Sequence, residues 1–341
     1  MNWTASFDLE PGFLNTASLG VPPRHSFESL TKVLDSWRIG QLGAGDFDGY
    51  IARTRNAWAK LSMVDSTNVS IGATVSGLVG IVAASLPSSA KVLIAAGEFT
   101  SVSFPFLVQA SRGVSVKEVP LESLIDSIDD SIDLVAVSSV QSSDGKLIDV
   151  AALAKRAAEC NVKVLLDTTQ SCGWLPIDCS VFDYTVCGAY KWLLSPRGVA
   201  FMSVKPAEID SLIPHGAGWF AGEDVWNSIY GSPLRLAGDA RRFDTSPAWF
   251  SWVGAASAIE FLCEIDTQKI YEHNIGLANS FLSALDLAPQ NSAIVSLDWR
   301  NAEERLRAAG VRTAIRAGKV RASFHLYNDE EDVALAVAAL K

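Results

Sequence analysis

Short apolar runs alternate with helical patterns through the middle of the chain. Strands of four to six residues are predicted at 68–72, 91–95, 114–119, 134–138, 162–167, 184–187 and 199–204. Apolar positions at helical spacing lie between them, at 75–86, 101–111, 121–128 and 150–160. Strands that alternate with helices form βαβ units around a mostly parallel, buried sheet. The pattern therefore predicts an α/β fold for about residues 45–245.

The C-terminal part of the chain has a different pattern. Helices are predicted at 247–265, 270–287, 302–309 and 329–340, and strands at 293–297 and 320–326. This mixture predicts a smaller α+β unit. We divide the chain into an N-terminal arm that joins the small domain, a large domain and a small C-terminal domain, at 1–20, 21–246 and 247–341.

Charge and composition exclude several classes of partner. The 28 Lys and Arg residues against 38 Asp and Glu residues give a net charge of −10, whereas binding to nucleic acid needs a basic face. No basic amphipathic segment indicates membrane binding, and residues 1–12 lack a charged and an apolar region of a secretory signal. Five cysteines without a CxxC pair and four scattered histidines predict no metal site. We expect a cytoplasmic protein.

Two charged residues stand where ligands bind in open α/β sheets, beyond the carboxyl ends of strands. Asp167 ends the predicted strand 162–167, where it either caps the next segment or serves a functional site. Lys191 follows the strand 184–187 between Tyr190 and Trp192. It is either a surface lysine lying over aromatic rings or an amine whose pKa is lowered, which favours a nucleophile.

Two further positions have a structural and a functional interpretation. The segment 72–77 joins a strand to a helix, so it is either a tight turn with Thr74 as N-cap or a phosphate site at a helix start. Arg321 lies in an alternating strand, where it is an edge residue or a fork that binds a carboxylate. His215-Gly216-Ala217-Gly218 suggests an esterase loop, but without a GxSxG elbow a serine hydrolase is not expected.

Five motifs in one order resemble the class V aminotransferases, fold-type I enzymes that use pyridoxal 5′-phosphate (PLP). The strongest is Asp167-Thr168-Thr169-Gln170, followed by Lys191 and then by Ser195-Pro196-Arg197-Gly198. Supporting motifs lie at 13–20, 241–247 and 320–328. The family includes cysteine desulfurases, kynureninases, isopenicillin-N-epimerase-like proteins and C–S lyases. The resemblance implies a large domain with a mostly parallel mixed sheet and a small α+β C-terminal domain.

The resemblance also implies how the cofactor ring is held. Lys191 forms the Schiff base with PLP and later moves the Cα proton, and Asp167 pairs with the protonated pyridine nitrogen. Gln170 donates a hydrogen bond to O3′ of the ring, and Phe99 stacks on the ring face.

For the cofactor phosphate, the resemblance implies the Ala73-Thr74-Val75 backbone, the Thr74 hydroxyl and Tyr190. Thr245 or Ser246 reaches the phosphate from a partner subunit, which implies a homodimer with the active site at its interface.

The substrate implied by the resemblance is a small amino acid. Arg321 binds its α-carboxylate, with Asn15 or Ser18 nearby. Transamination is the first hypothesis. The alternatives are C–S lyase or kynureninase-like cleavage and, from another class, a non-catalytic PLP-fold binding protein. A thiol-dependent cysteine desulfurase is disfavoured, because the last cysteine, Cys263, stands in a predicted helix and residues 264–341 contain none.

Overall fold

A seven-stranded sheet organises the larger part of the molecule, whose computed structural model describes residues 3–341. Its strands are β1 (Val69–Gly72), β2 (Lys91–Ala95), β3 (Ser115–Val119), β4 (Leu134–Ser138), β5 (Lys163–Asp167), β6 (Tyr184–Gly188) and β7 (Ala200–Val204). They lie in the order β1-β7-β6-β5-β4-β2-β3. The pairs from β3 to β6 are parallel, whereas β7 runs antiparallel to both β6 and β1. The mixed, mostly parallel sheet predicted from the sequence is confirmed.

Helices cover both faces of this sheet, because successive side chains of a strand point to opposite faces. The helices of this part are α1 (Arg24–Arg38), α2 (Asp48–Ser62), α3 (Val75–Ser85), α4 (Thr100–Leu107), α5 (Val150–Cys160) and α6 (Trp249–Cys263). On one face, α3 and α4 pack against Ile94 and Ala136. On the other, α5 packs against Val135 and Val137.

A second, smaller core forms around an antiparallel sheet. Its strands are β8 (Ile294–Leu297), β9 (Ala314–Arg316) and β10 (Lys319–Ser323), and its helices are α7 (Thr267–Ala284), α8 (Ala302–Ala308) and α9 (Glu330–Leu340). The strand order is β8-β10-β9. The N-terminal arm joins this unit through bridges from Phe13 to Arg312 and from Asn15 to Ser323, and Leu14 is buried in its core.

Helix α6 packs with the large unit. Trp252 lies edge-on against Phe201 of β7, with ring centroids 5.6 Å apart, and Trp58 of α2 stacks on the same ring at 4.9 Å. The predicted division at residue 247 counts α6 with the C-terminal domain, whereas its apolar side chains share a core with α2 and the large sheet. The domain boundaries therefore stay a prediction.

The helix predicted at 121–128 is wrong. A short 3-10 turn, Leu121–Ser123, stands there and is followed by turns. The Ser123 hydroxyl donates to the carbonyl of Pro120, and the Ser127 hydroxyl donates to that of Ser123. Serine side chains that bond locally to the backbone compete with helical hydrogen bonds. Among the helices of residues 3–341, none is long and apolar enough to cross a membrane.

Candidate active site

One edge of the large sheet gathers most of the predicted site residues. The carboxyl ends of β1, β2, β4, β5 and β6 all meet at this edge, because the two antiparallel pairings of β7 leave β1 running in the same direction as β6. A cleft there has an empty volume of about 600 Å³. Its lining comes from these strand ends and the turns after them: Ala73, Thr74, Val75, Ser76, Phe99, Ser101, Ser138, Ser142, Asp167, Thr169, Gln170, Gly188, Tyr190, Lys191, Arg197, Val199 and Ala200.

Lys191 lies buried in the turn after β6. Its Nζ is 5.2 Å from the ring centroid of Phe99 and 5.5 Å from that of Tyr190. Burial lowers the pKa of Lys191 to about 8, and the positive charges of Arg321 and Arg316 act in the same direction, whereas Asp167 raises it. A lysine with this pKa is neutral, and so nucleophilic, in a much larger fraction of molecules near neutral pH than an ordinary lysine is.

The N-terminal arm holds the lysine turn in place. The Gly20 N–H donates to the carbonyl of Tyr190 at 2.9 Å. A Cβ at Gly20 would lie 2.0 Å from the carbonyl oxygen of Lys191, so only glycine permits this approach. The arm therefore connects the small unit to the turn that carries the reactive amine.

Asp167 ends β5 at the floor of the cleft. Its Oδ1 accepts a hydrogen bond from the Thr169 N–H at 2.8 Å. Burial raises the pKa of Asp167 to about 6, against the hydrogen bonds from Thr169, and nearby Glu98 raises it further. A cationic partner in the cleft would stabilise the ionised carboxylate, as a protonated ring nitrogen does.

Glu98 is a positioning residue that the sequence reasoning missed. Its buried carboxylate accepts hydrogen bonds from the Ser138 N–H and hydroxyl at 2.8 and 2.6 Å, from Gln141 at 3.1 Å and from the Phe99 N–H at 2.7 Å. This network ties the end of β2 to the end of β4 and orients the backbone of Phe99. An acid just beyond a buried strand was the available signal, as at Asp167.

The start of α3 forms the other end of the cleft. Thr74 caps the helix, and its Oγ1 accepts from the Gly77 N–H at 3.2 Å. Arg197 also lines this end, with its guanidinium carbon 5.2 Å from the ring centroid of Tyr190. It forms no ion pair within the described residues. A helix start and an unpaired arginine suit a phosphate dianion. The sequence motif that contains Arg197 did not predict this role.

Gln170 lines the cleft with its amide already engaged. Its Nε2 donates to the Ala17 carbonyl and to the Ser142 hydroxyl, both at 3.0 Å, and its Oε1 accepts from the Trp192 indole at 2.7 Å. An amide nitrogen has two hydrogens, so the predicted hydrogen bond to O3′ requires one of these contacts to be exchanged.

Arg321 lies next to the cleft and contacts one of its lining residues. It is only 1% exposed, its Nη1 donates to the Ser142 hydroxyl at 3.2 Å, and its Nη2 donates to the Ser18 hydroxyl at 2.7 Å. Burial lowers the pKa of Arg321 to about 10, helped by the charge of Arg316. Across residues 3–341 its Nε has no hydrogen-bond partner and its guanidinium no carboxylate. Asn15, whose buried Oδ1 is also unpartnered there, bridges to Ser323 on the same strand.

Thr245 and Ser246 do not line this cleft. The Thr245 N–H donates to the carbonyl of Ile71 at 3.2 Å, and Ser246 is exposed. Buried Asp244 anchors the segment through Arg55 at 2.5 Å and the Ile71 N–H at 2.8 Å. The contribution of either residue to a partner's phosphate site stays a prediction.

The cleft combines a buried amine, a buried carboxylate, an aromatic ring and an anion-binding helix start. A flat cofactor with an aldehyde, a cationic ring nitrogen and a phosphate fits this donor set, which defines a fold-type I PLP site.

Comparisons with known proteins agree. The family described as aminotransferase class V matches residues 78–335, and the chain belongs to this family, whose members use PLP. It is 29% identical over 305 residues to an uncharacterized aminotransferase, YcbU, of Bacillus subtilis, covering 83% of this chain and 81% of that protein. It is 26% identical over 284 residues to the isopenicillin N epimerase of Streptomyces clavuligerus, covering 74% and 69%. The predicted family and cofactor are confirmed.

Solved structures share the fold over nearly the whole chain. A C-DES mutant with glycine covalently linked to its PLP cofactor has a TM-score of 0.88 at 20% identity, and covers 98% of both chains. The cysteine desulfurase CsdA of Escherichia coli has a TM-score of 0.84 at 18% identity, covering 99% of this chain and 96% of that one. The predicted fold is therefore confirmed.

Proposed function

We propose that this class V enzyme is an aminotransferase that converts a small amino acid to its keto acid. The observation that carries the proposal is a buried Lys191 amine close enough to Asp167 and to Arg321 for both charges to shift its pKa, while the Arg321 guanidinium has no carboxylate partner within residues 3–341. An amino acid whose carboxylate pairs with Arg321 would bring its Cα to the side of the cleft that holds the lysine.

Bound PLP supplies an electron sink that makes the Cα proton of an amino acid removable. In its neutral form, the Lys191 amine would accept that proton, and in transamination the resulting ammonium would hold the proton in the cleft and give it back. The Asp167 carboxylate would bind the cationic ring nitrogen of PLP, because an ionised carboxylate in a buried site favours a cationic neighbour. Arg321 fixes the substrate carboxylate and orients Cα toward Nζ.

Thr74, Arg197 and the first N–H groups of α3 would hold the cofactor phosphate. Phe99, whose ring centroid lies 5.2 Å from the Lys191 Nζ, would lie against the cofactor ring. Glu98 would act indirectly, by fixing the backbone of Phe99 through the hydrogen bonds described above.

Two observations favour transamination over a thiol-dependent desulfurase. The relative YcbU is described as an uncharacterized aminotransferase. None of the five cysteines lines the cleft, and Cys172, Cys179 and Cys187 are buried. Cys263 donates to the carbonyl of Ala57 from within α6, at 3.3 Å.

Elimination is the alternative reaction, because it shares the removal of the Cα proton by Lys191. The test is incubation of the PLP-loaded enzyme with single amino acids. Formation of pyridoxamine phosphate and a keto acid supports transamination. Release of sulfide, pyruvate or alanine without pyridoxamine phosphate contradicts it and supports cleavage. A protein that shows no cofactor absorbance after PLP is added contradicts both and supports a non-catalytic role.

We also propose a homodimer. Apolar side chains continue from the cleft along one side of α4: Phe104 is 57% exposed and Val108 just beyond it is 71% exposed. A contiguous exposed apolar surface beside a functional site marks an interface, and a second copy would bring its own Thr245 and Ser246 there. Sedimentation should show a dimer that the double variant Phe104→Asp, Val108→Asp weakens, whereas Leu287→Asp, on the small unit, should not. A monomeric wild type contradicts the proposal.

A further inference from the structure

Two arginine side chains meet at one hydroxyl on the substrate side of the cleft. The Ser18 Oγ accepts from the Nη2 of Arg321 at 2.7 Å and from the Nη2 of Arg316 at 3.4 Å. The two guanidinium groups are therefore no farther apart at these atoms than the sum of the two distances. Neither forms an ion pair with a carboxylate in residues 3–341. The site holds two positive charges and no protein counter-charge.

The β9–β10 hairpin adds a third positive charge. Its turn residues Ala317 and Gly318 have φ of 47° and 76°, which tightly joins the strands. This register places Lys319 directly opposite Arg316. Like charges opposite each other in a sheet are unfavourable, and neither residue forms an ion pair within residues 3–341.

The field of these groups reaches the reactive centre. The charge of Arg316 contributes to the lowered pKa of both Arg321 and Lys191. The only acid among the residues lining the cleft, Asp167, lies at the floor, where it faces the position of the cofactor ring. An anion at the mouth would stabilise all three cations.

The two arginines differ in depth. Arg321 is buried and held by Ser142 and Ser18, so its position is fixed for the α-carboxylate. Arg316 is exposed at the end of β9, and only its Nη2 reaches the Ser18 hydroxyl. A group that meets Arg316 therefore lies farther from Cα, on the solvent side.

We propose that the substrate is an amino acid with a second acidic group at the end of its side chain, and that Arg316 binds this group. The inference rests on the proposed function only in requiring that an amino acid binds in this cleft.

The test compares acids with their uncharged counterparts on the PLP-loaded enzyme. Dissociation constants are measured from the absorbance of the bound cofactor for aspartate against asparagine, glutamate against glutamine, and 2-aminoadipate against norleucine. We expect at least one acid to bind about fivefold more tightly than its counterpart, as for one solvent-accessible ion pair. Arg316→Gln should abolish this preference, Arg316→Lys should keep part of it, and added salt should reduce it.

The matched control is Arg307→Gln, which removes an exposed arginine from α8 of the same unit and should leave the preference intact. A wild type without preference for any acid overturns the inference and leaves the proposed function standing. A preference for an acid that survives in Arg316→Gln also overturns the inference. The same holds if Arg316→Gln weakens the binding of L-alanine as much as that of the acids, because both arginines would then bind the α-carboxylate. If no amino acid changes the absorbance, the proposed function fails, and the inference fails with it.

Discussion

The two sides of the cleft are built in different ways. On the large-sheet side, the Glu98 carboxylate accepts four hydrogen bonds. The same side holds Asp167 and Lys191, whose charges are of opposite sign. The substrate side, formed by the arm and the β9–β10 hairpin, holds Arg316 and Arg321 without an acid in the described chain. The large-sheet side suits a cofactor that stays bound, whereas the substrate side suits an anion that leaves with each turnover.

This difference assigns the chemical step to the residues of the large-sheet side and the choice of substrate to those of the substrate side. Residues at the ends of parallel strands share one rigid sheet edge, and such positions are held accurately enough for proton transfer. The β9–β10 hairpin is short and its tip is exposed, so substitutions of its charged residues should leave the large sheet intact. Changes on the two sides should therefore affect turnover and substrate binding differently.

The largest effect is expected for Lys191→Ala. Removing the amine that moves the Cα proton should reduce turnover by about 10³-fold or more, and PLP should stay bound without a covalent bond to the protein. Single-turnover assays with cofactor absorbance measure both. Lys155→Ala, on the exposed side of α5, is the control and should behave as wild type. Substantial turnover in Lys191→Ala would remove the lysine from the proposed mechanism.

Arg321→Ala should mainly affect substrate binding. Loss of a buried, bidentate partner should weaken amino-acid binding by about 2–4 kcal/mol, with a smaller change in the rate at saturation. Arg321→Lys keeps the charge but not the fork, so it should recover only part of the affinity. Steady-state kinetics separate the two effects. An unchanged KM in Arg321→Ala would place the α-carboxylate elsewhere.

The sequence predicted the sheet edge better than the contacts made across it. Strands β2 and β4 lie at the predicted 91–95 and 134–138, because buried parallel strands are continuous apolar runs. Asp167 and Lys191 could be selected because each follows such a run. Glu98 follows a buried strand in the same way, but its contacts could not be predicted, because Ser138 and Gln141 are distant in sequence and come near only through the packing of β4 beside β2.

Helix α1 was not predicted, although its apolar residues repeat at helical spacing. Val33 is buried, whereas Phe27 and Trp37 toward the same side of the helix are exposed, so the sequence pattern does not tell how much of this face the fold covers. The engagement of the Gln170 amide was equally invisible, because its acceptor Ala17 lies in the N-terminal arm. Local patterns predict elements, whereas side-chain partners depend on the tertiary fold.

A stability measurement tests the charge balance on the large-sheet side. The pKa of Asp167 is about 6 in the fold against a usual 3.8, so the folded state binds more protons between these values and stability falls as pH rises through this range. Above pH 6 the ionised carboxylate should destabilise the apoprotein by about 3 kcal/mol. Asp167→Asn should remove this destabilisation.

Urea denaturation of the apoproteins at several pH values checks this prediction. The Asn variant should be more stable than wild type at pH 7.5, and the difference should disappear near pH 4. The exposed Asp126→Asn is the control and should show no such crossover. A variant less stable than wild type at pH 7.5 would mean that Asp167 is stabilised by its surroundings without the cofactor.

The smallest effect is expected for Arg197→Gln. Arg197 is exposed at the phosphate end, so water screens its charge, and its loss should weaken PLP binding by about 1 kcal/mol. The effect should shrink as salt is added, because a screened charge contributes less. Equilibrium dialysis of PLP measures it, with the exposed Arg300→Gln as control. If Arg197→Gln binds PLP as wild type does at low salt, then Thr74 and the start of α3 hold the phosphate without help. The unpaired cations of the substrate side would then be the only arginines of the cleft that act on a ligand.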